Sequence, residues 1–152
     1  MNILSILNNR VITEFKSSSK QDIINEMIDH LEGCVNVIDL EKVRDVVLER
    51  EKIMSTGIGN GFAIPHGKTD GVKEIVAVFG KLREPIDFEA VDGEPVNLIF
   101  LLVGREDSVN DHIKMLSRIS RIMSKQYVSD KLLSAETSEE ILKIFEDEEN
   151  SL

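Results

Sequence analysis

Tryptophan is absent, tyrosine occurs once, and Cys34 is the only cysteine. One thiol can form neither an internal disulfide nor a thiolate metal cage, so Cys34 reads as a buried or half-buried structural residue. Only three prolines occur, and no segment is low in complexity or linker-like. Basic residues are also scarce, 18 against 28 acidic ones, which leaves a net charge of −10. That balance argues against the clustered lysine and arginine footprint of a nucleic-acid binder. It is compatible with a solvating acidic exterior or with docking onto a basic protein surface. The longest apolar run, Val96 to Val103, falls far short of the roughly 20 residues that cross a bilayer. The N-terminus shows no basic segment followed by an apolar stretch, so no secretory signal is evident. A cytoplasmic protein with no direct membrane insertion is expected.

What is present fits one ordinary domain. The 152 residues, 41% hydrophobic, suffice for a substantial core. Val11 to Phe15 reads as a strand. After Ser18-Ser19, the residues Ile23, Ile24, Met27, Ile28 and Leu31 keep a helical period that ends at Gly33. Asp39 can cap a second helix, with Leu40, Val43, Val46 and Val47 on one face, running to about Arg50. Ile75–Phe79 and Val96–Val103 are continuous apolar runs of the kind buried on both faces of a sheet. Pro85, Pro95 and Asp92-Gly93 mark turns between them, with Ile86–Phe88 a short strand.

Asp107, Ser108 and Asn110 offer caps for a long helix carrying Ile113, Leu116, Ile119, Ile122 and Met123 inward. A short helix over residues 129–134 follows. Thr137-Ser-Glu-Glu140 is a capping box that opens a last helix through Ile141, Ile144 and Phe145, with Glu146 to Glu149 expected to fray. Buried strands between amphipathic helices imply an α/β fold, a three-layer α/β/α sandwich around a mixed β-sheet.

The most informative segment is Gly57-Ile-Gly-Asn-Gly-Phe-Ala-Ile-Pro-His66-Gly-Lys. Glycines let main-chain N–H groups face an anion without Cβ interference, so Gly57, Gly59, Asn60, Gly61 and Gly67 are candidate phosphate-loop positions. Pro65 restrains the residue before it and fixes its own φ, which holds His66 in a defined pose. Two nucleotide motifs are excluded. The spacing is G-x-G-x-G, not G-x-G-x-x-G, and no helix start follows it. Gly67-Lys68-Thr69 mimics the end of a P-loop, but Phe62 stands where that motif needs glycine.

Three histidines are available. His30 lies late in an amphipathic helix and reads as solvated. His66 is either a well-positioned loop residue or a phosphoryl acceptor. His112 falls in the first turns of the long helix, where the dipole disfavours imidazolium. A neutral His112 could there donate a hydrogen bond to an anion. Two histidines could also serve zinc, with Asp107 or Asp111 as carboxylate ligands. No H-x-x-x-H, C-x-x-C or H-E-x-x-H pattern supports that, and no metal is expected. A serine hydrolase lacks its G-x-S-x-G elbow.

Arg50-Glu-Lys-Ile-Met-Ser-Thr-Gly-Ile-Gly-Asn-Gly, Ala63-Ile-Pro-His66-Gly and Asp111-His112-Ile-Lys-Met-Leu116 together carry a family resemblance. Over nearly its whole length the chain resembles the enzyme IIA domains of the phosphoenolpyruvate-dependent sugar phosphotransferase system, in the fructose/mannitol and nitrogen-regulatory class. The resemblance implies that His66 is phosphorylated, that His112 lines the same pocket, and that Arg50 sits near the phosphoryl oxygens. It implies a donor, the histidine-containing phosphocarrier protein, and an acceptor, an enzyme IIB domain. In the nitrogen-regulatory branch it implies instead a target protein whose binding follows the phosphorylation state of His66. No cofactor is called for.

Overall fold

The computed structural model describes residues 1–152. Its elements are α1 (Ile3–Leu7), β1 (Val11–Ile12), α2 (Lys20–Asp29), α3 (Leu40–Ile53), β2 (Gly57–Gly59), β3 (Phe62–Ala63) and β4 (His66–Thr69). There follow β5 (Val76–Ile86), β6 (Val96–Arg105), α4 (Val109–Met123), α5 (Gln126–Ser134) and α6 (Ser138–Asn150). No helix is long and apolar enough to cross a membrane.

Strand alternation builds the layers. On β6, Leu98, Phe100 and Leu102 join one buried cluster with Met115, Ile119 and Ile122 of α4 and Phe145 of α6. Ile99, Leu101 and Val103 join the other, with Ile23, Met27, Val43 and Val47 of α2 and α3. The sheet is therefore covered on both faces, a three-layer α/β/α sandwich and a single mixed α/β domain. Phe145 meets Phe79 and Phe100 edge to face, with ring centroids 5.0 and 5.6 Å apart. Each such ring contributes about 2–3 kcal/mol by burial.

The strands run in the order β1-β5-β6-β3-β2, with β4 also pairing β6. β5 and β6 are antiparallel, and β1, β3 and β4 pair in parallel, which makes the sheet mixed. β3 and β4 lie in succession along one edge of β6. Phe62 stands opposite Leu98, and His66 opposite Leu102.

Several elements differ from the sequence reading. An N-terminal helix, α1, precedes the first strand; Asn2 and Ser5 form its reciprocal cap, and left-handed Asn8 and Asn9 end it. The strand itself keeps only Val11 and Ile12. The strand read at Ile86–Phe88 is the tail of β5, where Ile86 pairs Val96, and Phe88 is buried outside it. Ile113 is exposed and Met115 takes the inward position, because the buried stripe of α4 runs through His112, Met115, Ile119 and Ile122. The acidic end does not fray. Glu148 is buried, accepting from Tyr127 Oη at 2.6 Å, while Glu149 accepts from the Ile3 amide and Arg118, both at 2.8 Å. Unpaired carboxylates would favour solvent; these have donors inside the fold.

Candidate active site

His66 opens β4, beside the C-terminal half of β6, and His112 lies one turn into α4, which follows that strand. Their ring centroids are 5.7 Å apart, tilted by 48°. Two histidines separated by 46 positions are thus brought together by one strand pairing and one helix start.

The two rings are held differently. His66 Nδ1 lies 2.8 Å from the Ile64 carbonyl oxygen. A carbonyl only accepts, so Nδ1 carries the proton and Nε2 carries the free lone pair. Pro65 contributes no N–H of its own, and its carbonyl accepts from the Leu102 amide at 3.0 Å, which ties the segment to β6. Burial pushes the His66 pKa below its usual value; the Ile64 carbonyl opposes this, while Arg50 and Lys68 reinforce it and Glu51 opposes it. The ring is neutral near pH 7, with an available nucleophilic nitrogen.

His112 is 3% exposed. No protein group reaches either of its ring nitrogens. Burial first, then the neighbouring His66 and Lys68, push its pKa down to about 4. A buried neutral imidazole with an uncommitted N–H is a hydrogen-bond donor suited to an incoming oxygen anion. Gly104 makes its position possible: a Cβ there would stand 2.6 Å from His112 Nδ1.

Arg50 lies in the last turn of α3, where Nη1 donates to the Met54 carbonyl at 2.7 Å. That bond holds the guanidinium at the helix end, close enough to His66 to bias its protonation. Its other donors fit a phosphoryl group.

The glycine run is not a phosphate cradle. Gly57–Gly59 and Phe62–Ala63 form a hairpin whose two turn residues, Asn60 and Gly61, both have positive φ, 56° and 77°. This is the Asn-Gly turn that matches strand twist. The Gly61 carbonyl accepts from Asn97 and Leu98, four to five residues along β6 from Leu102. At ~3.3 Å per residue, that places the turn about 15 Å from His66. The Asn60 amide is committed to the Asp92 carboxylate, which would repel phosphate. Gly59, with φ of 110°, faces that same carboxylate, and the Gly57 amide donates to Ser55 Oγ. Gly67 alone adjoins His66; lacking a Cβ, it admits Val46 of α3, which a Cβ would meet at 2.9 Å.

The sequence reading missed three features of this site: the Ile64 carbonyl, Gly104, and a buried pair, Glu51 and Thr56. The one legible signal is Glu51. It falls four positions after Val47 and eight after Val43, on the buried stripe of α3, where an acid is out of place. His30 is exposed, as expected of a solvated residue, and Cys34 is half-buried with Sγ 3.7 Å from Arg10.

Comparison with known proteins gives the family of the chain. The family described as "Phosphoenolpyruvate-dependent sugar phosphotransferase system, EIIA 2" matches residues 5–148. The chain belongs to that family. It is 34% identical over 145 residues to the PTS system fructose-specific EIIABC component of Bacillus subtilis, a match spanning 95% of this chain and 23% of that protein's length. It is 31% identical to a nitrogen regulatory protein of Pseudomonas aeruginosa, covering 93% of this chain and 92% of the relative. The crystal structure of nitrogen regulatory protein IIA-Ntr from Neisseria meningitidis superposes with a TM-score of 0.88 at 33% identity, covering 94% of this chain and 98% of that one. As an EIIA of this class, the chain is a component of a phosphoryl-transfer system.

Proposed function

We propose that the chain is a phosphoryl carrier that accepts a phosphoryl group on His66 Nε2 from the phosphohistidine of the histidine-containing phosphocarrier protein. It then passes the group to an enzyme IIB. The observation that carries this reading is the bond from Nδ1–H to the Ile64 carbonyl, which leaves one ring nitrogen as nucleophile.

The Nε2 lone pair attacks phosphorus in line, the donor's P–N bond breaks, and the donor imidazole leaves with its electron pair. No proton need leave His66 during the attack. The positive charge that grows on its ring is met by the Ile64 carbonyl at Nδ1–H. The transition state is loose, so positioning and charge stabilisation dominate. Arg50 pairs with the phosphoryl oxygens, and neutral His112 donates one hydrogen bond to them. The weak hold of a P–N bond lets the group move on by the same steps in reverse.

A second reading has support in the likeness to the nitrogen regulatory proteins, which extends over nearly the full length of both chains. There the phosphorylation state of His66 controls binding to regulatory targets; added charge and acceptor oxygens change the complementarity of the surface. One experiment separates the two. The protein is labelled with phosphoenolpyruvate, enzyme I and the phosphocarrier protein, then offered to candidate IIB domains. Rapid loss of the acid-labile label expresses a relay; a label retained against every IIB domain expresses a regulator. Absence of any label on the protein would sink both.

A further inference from the structure

Glu51 is nearly buried, 8% exposed, at the end of α3. A buried carboxylate is costly unless donors surround it. Glu51 has three: Lys20 Nζ at 3.1 Å, the Thr56 amide at 2.8 Å and Thr56 Oγ at 2.6 Å. Thr56 is itself buried, and its carbonyl accepts from the Ile64 amide at 3.1 Å. The Ile64 carbonyl accepts from His66 Nδ1 at 2.8 Å. The connections thus run without a break from an ammonium group on α2 to the ring of His66. Lys20 is itself held over the Phe88 ring, 4.7 Å from the centroid.

We infer that Glu51 is a positioning residue for His66: through Thr56 it fixes the Ile64 peptide, which in turn holds the imidazole in its Nδ1–H tautomer. Residues 64 to 66 have two backbone anchors. One is the Leu102 amide on the Pro65 carbonyl; the other is the Thr56 carbonyl on the Ile64 amide. The first belongs to the β6 ladder. The second hangs on Glu51, because Thr56 lies between the end of α3 and the start of β2 and both of its side-chain and amide donors go to that carboxylate. Were Thr56 free to shift, the Ile64 carbonyl would lose its aim. The ring would then share its proton between two nitrogens, and the lone pair would no longer stay on Nε2. The reason for a carboxylate on the buried stripe of α3 is therefore geometric. It gathers two donors from one residue, which a neutral apolar side chain cannot do.

The inference rests on the acceptor reading of His66, and its test reads the ring separately from the transfer. Histidine-labelled protein, unphosphorylated and above the histidine titration range, is compared by long-range proton–nitrogen correlation for the wild type, Glu51→Gln, Thr56→Val and Thr56→Ser. The wild type and Thr56→Ser should show a single Nδ1–H tautomer at His66, and the other two a mixture. Transfer from the phosphorylated phosphocarrier protein should then fall about tenfold to a hundredfold in kcat for Glu51→Gln and Thr56→Val, with KM for the donor unchanged. A single tautomer and wild-type kcat in both variants overturns the inference. Thr56→Val, which keeps the volume and the amide bond to Glu51, decides the matter if Glu51→Gln fails to fold. A wild type that takes no phosphate while the tautomer still shifts in the variants overturns the acceptor reading and supports the positioning role.

Discussion

The two ends of the paired stretch of β6 hold the two halves of one sequence motif and use them for different purposes. At Asn97 and Leu98, the strand receives the Asn60-Gly61 turn, whose positive φ values reverse the chain and whose Asn60 amide is committed to Asp92. At Leu102 to Gly104, it receives His66 and, by way of Gly104, the ring of His112. Gly61 and His66 are five residues apart in sequence, and extended chain spends that separation along the sheet edge, about 15 Å. The turn end is a folding device; on the proposed function the histidine end is the chemical one. On the function proposed above, anion recognition at the second end falls to side chains, Arg50 and His112, and not to the amides of the Asn60-Gly61 turn.

Substitutions at the histidine end should therefore act on transfer, and the largest effect belongs to His66. His66→Ala should take up no acid-labile phosphate by intact mass, with the fold unchanged; a full phosphate yield would move the nucleophile elsewhere. His112→Ala should still be phosphorylated to completion, but slower by about a hundredfold to a thousandfold in stopped-flow transfer, the loss expected for one oxyanion donor. Wild-type kinetics in that variant would reduce His112 to packing.

The burial of His112 also gives the histidine end a pH signature in stability. Its pKa is about 4 in the fold, against about 6.5 when unfolded. Above the unfolded value both states are neutral and the contribution is fully present. As pH falls below it, the unfolded chain takes up the proton first, so stability is lost progressively down to about 4. The whole window amounts to about 3 kcal/mol. Denaturant unfolding across that range should show the slope in the wild type and a flatter curve in His112→Gln; equal slopes would assign the effect to other groups. Gly104→Ala acts on the same ring through space. The added methyl would stand 2.6 Å from Nδ1, an overpacking that costs about 1–3 kcal/mol. It should slow transfer in the wild-type background but add nothing to His112→Ala, since the two share one contact. Additive losses in that cycle would mean Gly104 serves the site independently.

How legible these two ends were in the sequence differs for a physical reason. Periodicity revealed α2, α3, α4 and the two long strands, because their apolar residues face a sheet covered on both sides. It misplaced Ile113, because α4 turns His112 rather than Ile113 toward the sheet, and a histidine does not register as a core position. His66 and His112 were legible as residue types, and Arg50 only through family likeness. The Ile64 carbonyl left no trace, since any residue supplies one and only the fold decides which faces a ring. The glycines misled, because the same residue that frees an amide for an anion also permits a left-handed turn. A sequence shows the permission but not the use. Fraying was expected at Glu146–Glu149 because charge runs favour solvent, yet Tyr127, Arg118 and the Ile3 amide are distant in sequence and supply the partners.

The smallest effect on transfer should come from the turn end, and it bears most directly on the contrast. In Gly61→Ala the new residue must keep a φ of 77°, a conformation that costs a side-chain-bearing residue about 1–2 kcal/mol. The added Cβ also stands 2.9 Å from Asn97 Oδ1, the end of a side chain that can rotate away, so crowding adds little. Thermal or denaturant unfolding should register the loss. The rate of phosphoryl uptake by the folded fraction should not, because the turn lies too far from His66 to touch the group, with its Asn60 amide committed to Asp92 and its Gly61 carbonyl to β6. If uptake fell while stability held, the hairpin would have to take part in the transfer itself, and the division of labour along β6 would be wrong.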